Sequence, residues 1–186
     1  MDLQPYVVRE GCAVTGTGVV VMDESGAAHL APNTPFPDPR EAARKIPLRY
    51  NGFDREWDGA WADVVGRFAH GGVDVDSVQR FDRPAFPGEA TVLVTYPDSP
   101  GWTRDELLTV AGDTDLHTTR DPIYGSGARR DKNGTDTLTL DCLYIDEPLA
   151  QWLGHPHPGD IEIRSALVPC SVNDVTPGAG QYGRAR

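Results

Sequence analysis

Two histidines and an aspartate lie within the six residues His155-Pro156-His157-Pro158-Gly159-Asp160. Two imidazoles and a carboxylate form a ligand set that suits zinc or iron. We therefore take His155, His157 and Asp160 as candidate metal ligands. The prolines between them extend the chain and tend to turn the two histidines apart, so the alternative is a solvent-exposed turn.

A second cluster lies in the polar stretch Asp113-Thr114-Asp115-Leu116-His117, with Asp121 close behind it. Alternate residues of an extended segment share a face, so two carboxylates and the imidazole of His117 could converge as an acid–base set. His117 is therefore a candidate catalytic residue. The alternative is an ordinary turn, in which Asp and Thr are common.

Asp141 is a further candidate catalytic residue, because it lies in the alternating stretch from Thr135 to Ile145. On a buried face its pKa would be raised, as is typical of site carboxylates, whereas on a solvated face it is an ordinary surface group. The alternation fits either face. The neighbouring Cys142 has no evident base or cation beside it in the sequence, which favours a buried thiol over a nucleophile.

The other motifs give weaker evidence for a functional site. Residues 178–183 spell a dinucleotide-binding fingerprint, but such a fingerprint must follow a strand and open a helix, and the sequence predicts neither at this position. The dense basic patch Arg129-Arg130-Asp131-Lys132 could bind a phosphate or a partner's carboxylates, or be a solvated hairpin tip. The sequence indicates no cofactor beyond the metal hypothesis.

The chain carries 28 acidic and 17 basic residues, which gives a formal net charge of −11. This excess argues against nucleic acid and anionic membrane surfaces as partners, and it would attract a basic protein. The alternative is that the charge serves solubility. A dense acidic stretch comprises Asp54, Glu56, Asp58, Asp63, Asp74 and Asp76.

Three cysteines without a recognisable spacing fit a reducing compartment. The N-terminus has no pattern typical of a secretory signal, and no apolar run reaches the length of a membrane span. We therefore expect a cytoplasmic protein.

The elements that must position these residues begin with a helix predicted over residues 54–69. Its apolar residues Trp57, Trp61, Val64, Val65 and Phe68 follow a helical period, and Asp54 is a suitable N-cap. Short helices are predicted after Thr103, after Asp146 and near Asp38. Strands are predicted at 14–22, 27–30, 91–96, 135–145 and 161–167.

These elements predict an α+β fold, with a mainly antiparallel sheet packed against one long amphipathic helix and two or three short helices. We expect one domain over residues 1–168 and a glycine-rich tail over 169–186. The function that fits best is a non-catalytic acidic interaction module, such as an inhibitor, an immunity-type partner or an accessory subunit. The alternative is a small bacterial enzyme, metal-dependent or not, with its site around His155, His157 and Asp160.

Overall fold

The computed structural model describes residues 2–32, 44–82, 90–111, 122–130 and 134–172. Within these ranges the protein is mostly β, with 48% of residues in strands and 14% in helices. The strands form two sheets, and each sheet has its own cluster of buried side chains.

The first sheet is a closed barrel of five strands. The predicted α+β fold, with its main sheet packed against one long helix, is therefore wrong, because pairing between strands distant in the chain closes this sheet into a barrel. Its strands are β1 (Ala13–Met22), β2 (Ala28–Ala31), β3 (Ile46–Arg49), β4 (Trp61–Ala69) and β5 (Gly72–Phe81). Their order is β1-β2-β3-β5-β4, and β4 pairs with β1 to close the ring. Only the pairing of β3 with β5 is parallel. OB-type barrels have the same strand order, so the likeness to them is one of strand connectivity.

The prediction of a long helix over residues 54–69 is wrong. This segment holds a single 3₁₀ turn, Arg55–Trp57, followed by β4. Along β4 buried and partly exposed residues alternate, so Val64 and Phe68 face the barrel interior while Trp61 and Val65 face outward. Residues four apart share a face at the helical period and also at the strand period, so the apolar stripe fitted both structures.

The second sheet has four strands in the order β6-β9-β8-β7. They are β6 (Ala90–Val94), β7 (Ile123–Arg130), β8 (Asp136–Cys142) and β9 (Ile161–Ser165). The pairs β6–β9 and β7–β8 are antiparallel, whereas β8 and β9 are parallel. The strand predicted at 91–96 corresponds to β6, which lies at an edge of this sheet.

Two α-helices, α1 (Arg104–Ala111) and α2 (Glu147–Leu153), are present in the described part of the chain. Both begin where the sequence predicts. The Thr103 hydroxyl and the Glu106 carboxylate form the expected capping box, and Asp146 accepts a hydrogen bond from the Leu149 amide. The short helix predicted near Asp38 lies outside the described residues.

The chain passes between the two sheets near both of its ends. Leu3 and Val7 pack in the core of the four-stranded sheet immediately before the chain enters β1. At the other end β9 leads into β10 (Leu167–Pro169), which pairs with β1. Leu143 and Leu167 lie in the barrel's cluster, so the four-stranded sheet adjoins one end of the barrel.

Candidate interaction surface

The six residues His155–Asp160 connect α2 to β9. His155 is exposed, and no contact within the described part of the chain directs its ring towards the other two candidate ligands. Asp160 accepts a hydrogen bond from the Tyr96 amide through Oδ1 at 3.1 Å, and its backbone carbonyl accepts one from Trp102 Nε1 at 2.8 Å. Among the described residues no group of three His, Cys, Asp or Glu side chains is placed to hold a metal ion.

His157 is surrounded by aromatic rings. Its ring centroid lies 4.3 Å from that of Trp152, 5.2 Å from that of Tyr96 and 6.3 Å from that of Trp102. Nε2 lies 2.9 Å from the Trp152 carbonyl oxygen, so the neutral imidazole donates its proton there. Burial lowers the pKa of His157, although the carbonyl opposes that shift. The imidazole thus has a structural role between α2 and the sheet.

Asp141 lies on the face of the four-stranded sheet that points away from the helices. Its side chain is 23% exposed, and Oδ1 lies 2.7 Å from Arg164 Nε on β9. Burial raises the pKa of Asp141, while Arg164 acts in the opposite direction. Both predicted environments are therefore partly present, because the carboxylate is half-buried and also neutralised by a neighbouring cation.

Of the remaining candidates from the sequence, some lie in the described part of the chain and others lie outside it. His117 lies outside the described residues, as do Asp131 and Lys132. Arg129 forms an ion pair with Glu162 at 3.1 Å, and Arg130 forms one with Asp136 at 2.6 Å. Among the described residues, Asp141 therefore makes no contact with His155, His157 or Asp160.

One end of the barrel collects carboxylates. Strands β1, β3 and β5 run towards this end, and β2 and β4 run away from it, so the turn 23–27, the segment 50–60 and residue 82 all meet there. We call this surface the acidic end and define it by Asp23, Glu24, Asp54, Glu56, Asp58 and Asp82, all of which are exposed. It lies at the opposite end of the barrel from the four-stranded sheet.

The segment 50–60 is held firmly against the barrel. The Met22 amide donates to Asp58 Oδ1 at 3.0 Å, and the Gly59 amide donates to the Val20 carbonyl at 2.9 Å. Phe53 and Trp57 pack against the barrel core, with their ring centroids 5.4 Å apart in an edge-on arrangement. The acidic end is therefore a fixed surface, which lowers the entropic cost of binding.

The predicted acidic stretch is divided by the fold. Asp54, Glu56 and Asp58 belong to the acidic end, whereas Asp74 and Asp76 lie on β5 near the β4–β5 turn. Asp63 accepts a hydrogen bond from the Thr17 hydroxyl, and Asp74 forms an ion pair with Arg49. Sequence reasoning missed Asp23, Glu24 and Asp82, because only the closed barrel brings their segments together. The turn Asp23–Gly26 itself was visible in the sequence.

No protein-family model matches the chain, and no match was found among curated proteins or among solved structures. None of the helices in the described ranges is long and apolar enough to cross a membrane.

Proposed function

We propose that this chain is a non-catalytic interaction module whose acidic end binds a basic partner protein. The observation that carries the proposal is the distribution of charge pairing. Between side chains of the described residues, carboxylates form ion pairs with Arg9, Arg49, Arg129, Arg130 and Arg164. Glu24, Glu56 and Asp82 take part in no ion pair within the described residues, so their charge is available to a partner.

An exposed aromatic residue supports the same surface. Tyr50 begins the segment 50–60, is 41% exposed, and its ring centroid lies 5.3 Å from that of Phe53. Tyrosine on a fixed support contributes contact area at a small entropic cost, and such residues are enriched in the centres of protein interfaces. An aromatic face beside carboxylates suits the arginine and lysine side chains of a basic protein.

Nucleic acid is disfavoured as the partner. OB-type barrels that bind oligonucleotides use the β2–β3 face and the loops β1–β2 and β4–β5. Here the β1–β2 turn carries Asp23 and Glu24, and the β4–β5 connection is only His70-Gly71. Because phosphate binding depends on clustered cations, the OB-type strand order does not imply that this chain binds nucleic acid.

For the alternative of a metal-dependent enzyme, His157 Nδ1 and Asp160 Oδ2 would have to bind the metal, because Nε2 is hydrogen-bonded to the Trp152 carbonyl and Oδ1 to the Tyr96 amide. Among the described residues no third His, Cys, Asp or Glu side chain is placed to complete such a site. Elemental analysis that found about one zinc or iron per purified chain would support the enzyme.

The test of the proposed function compares two variants with the same change in net charge. The first, Glu24→Gln/Glu56→Gln/Asp82→Asn, neutralises three of the six carboxylates of the acidic end and keeps Asp23, Asp54 and Asp58, which accept hydrogen bonds from backbone amides. The control, Asp76→Asn/Asp98→Asn/Asp105→Asn, neutralises three exposed carboxylates elsewhere. Tagged proteins are used to capture partners from lysate of the source cell at low and high salt, and the captured proteins are identified by mass spectrometry.

We expect the wild type and the control to retain the same basic protein at low salt, and the first variant to lose it. High salt should release the partner, because exposed charges are screened beyond about 8 Å at physiological ionic strength. Equal retention by both variants would show that the acidic end is not the binding surface. Capture of no basic protein at either salt would refute the proposed function.

A further inference from the structure

Strand β6 is an edge of the four-stranded sheet, and the hydrogen bonds of its neighbour β9 establish which of its backbone groups face outward. The Leu138 amide donates to the Asp160 carbonyl, and the Ala166 amide donates to the Cys142 carbonyl. Residues 160, 162, 164 and 166 therefore direct their backbone groups to β8, and residues 161, 163 and 165 direct theirs to β6.

The opposite residues on β6 follow the same alternation. Val92 and Val94 pair with Ile163 and Ile161, so their amides and carbonyls bond to β9. The amides and carbonyls of Thr91 and Leu93 consequently point away from the sheet. Within the described residues these four groups have no hydrogen-bond partner.

The side chains of this edge offer little protection against pairing. β6 reads Ala-Thr-Val-Leu-Val and has no charged residue, no proline and no bulge. Leu93 is 48% exposed, on the same face as Thr91. Edge strands usually carry charges, prolines or bulges that prevent another strand from adding, and β6 has only its short length.

We infer that β6 pairs antiparallel with β6 of a second copy of this chain, about a two-fold axis at Val92. In that register Thr91 lies opposite Leu93 of the other copy, and Leu93 lies opposite its Thr91. The pairing satisfies all four outward amides and carbonyls with two reciprocal pairs of hydrogen bonds. It also covers the exposed Leu93 and joins the two sheets into one of eight strands.

A second copy fits this edge better than a segment of a basic partner. The edge itself is uncharged, so it has nothing with which to select cations. The flanking residues on the same sheet face are Glu162 beside Leu93 and Arg164 beside Thr91. Glu162 and Arg164 are each ion-paired within their own copy, with Arg129 and Asp141, so neither leaves an unpaired charge beside the junction that would repel a second copy.

The association should be weak. Pairing of two five-residue strands buries well under the roughly 1,200 Å² of a stable interface, so we expect a dissociation constant on the order of 100 μM. This inference concerns a different surface from the acidic end and is independent of the proposed function.

Sedimentation equilibrium from about 10 μM to about 1 mM tests the inference, because this range brackets the expected dissociation constant. The average mass should rise from 20.2 kDa towards twice that value. Thr91→Pro removes an outward amide and leaves the bonds to β9 intact, so it should weaken association at least about tenfold. Thr91→Val keeps the amide and should associate as the wild type does.

A second pair of variants tests the inference even if the proline variant misfolds. Leu93→Lys places a charge on the edge and should also weaken association at least about tenfold. Leu108→Lys changes an exposed leucine on α1 and should leave association unchanged. Higher salt should strengthen this association, since both copies are acidic, and weaken binding of a basic partner. A constant mass of 20.2 kDa, or equal effects of the two lysine variants, would overturn the inference.

Discussion

The imidazole of His157 shows how a residue suited to chemistry can serve packing. Three aromatic rings and one carbonyl oxygen surround it, and its Nε2 proton is used in a hydrogen bond. The sequence showed a His-Pro-His-Pro turn, but not that Trp152, Tyr96 and Trp102 converge on it. Those three residues come from segments up to 61 positions away in the chain, and such contacts leave no local pattern.

The neutral His157 should make stability depend on pH. Burial lowers its pKa from 6.5, so the unfolded chain takes up a proton before the folded chain does. The free energy of unfolding should therefore fall as the pH drops below about 6.5, and level off below the pKa of the folded state. Urea unfolding at closely spaced pH values between about 7.5 and 5 measures this step, in a range where His is the side chain that ordinarily titrates.

His157→Phe keeps an aromatic ring in the same place and should lose this step. His155→Gln changes an exposed histidine and should keep it. An unchanged pH dependence in His157→Phe would show that folding does not shift the pKa of His157.

At the scale of elements, β4 explains why the sequence predicted a helix where the structure has a strand. Its stripe fitted a helix because Val64 and Phe68 are four residues apart, but Val65 and Trp61 face the other side of a strand. Gly59 and Gly66 argued against a helix, as did the β-branched and aromatic residues. Helices α1 and α2, by contrast, were predicted correctly because capping residues are local signals.

Gly66 allows β4 and β5 to approach each other at a bulge. A Cβ atom at this position would lie 2.2 Å from the Asp74 carbonyl oxygen and 2.9 Å from Val75 Cα. Backbone atoms cannot yield as a flexible side chain can, so Gly66→Ala should lower the free energy of unfolding by about 3 kcal/mol or more. Chemical denaturation measures the change.

Gly127→Ala on β7 is the matched control, because a Cβ atom there has no atom within 4 Å. It should change stability by less than about 0.5 kcal/mol, or raise it slightly by restricting the unfolded chain. If Gly66→Ala were equally neutral, the close approach of β4 and β5 would be refuted.

At the scale of the whole molecule, closure of the barrel determines where the carboxylates lie. The sequence predicted an acidic surface from residues 54–76, and half of that set does reach the acidic end. The other members depend on strand pairing between distant segments, such as β1 with β4 and β3 with β5. Pairings of this kind are fixed by tertiary packing, so neither composition nor periodicity could assign them.

The chain passes between the two sheets near both of its ends, so we expect the two sheets to unfold together. Val7 packs in one core just before β1 enters the other, and Leu167 packs in the barrel just after β9. Trp57 and Trp61 lie in the barrel, while Trp102 and Trp152 lie beside the four-stranded sheet. Trp57→Phe/Trp61→Phe therefore leaves reporters on the sheet, and Trp102→Phe/Trp152→Phe leaves them in the barrel.

In each double variant the urea midpoint from tryptophan fluorescence should coincide with the midpoint from far-ultraviolet circular dichroism, as two-state unfolding requires. Adding Val7→Ala should lower both midpoints together, because it removes about 2 kcal/mol of packing from a segment that serves both cores. Separate midpoints for the two reporter sets would instead divide the chain into two independently folding domains. A Val7→Ala effect confined to the sheet reporters would mean that the N-terminal segment does not couple the cores.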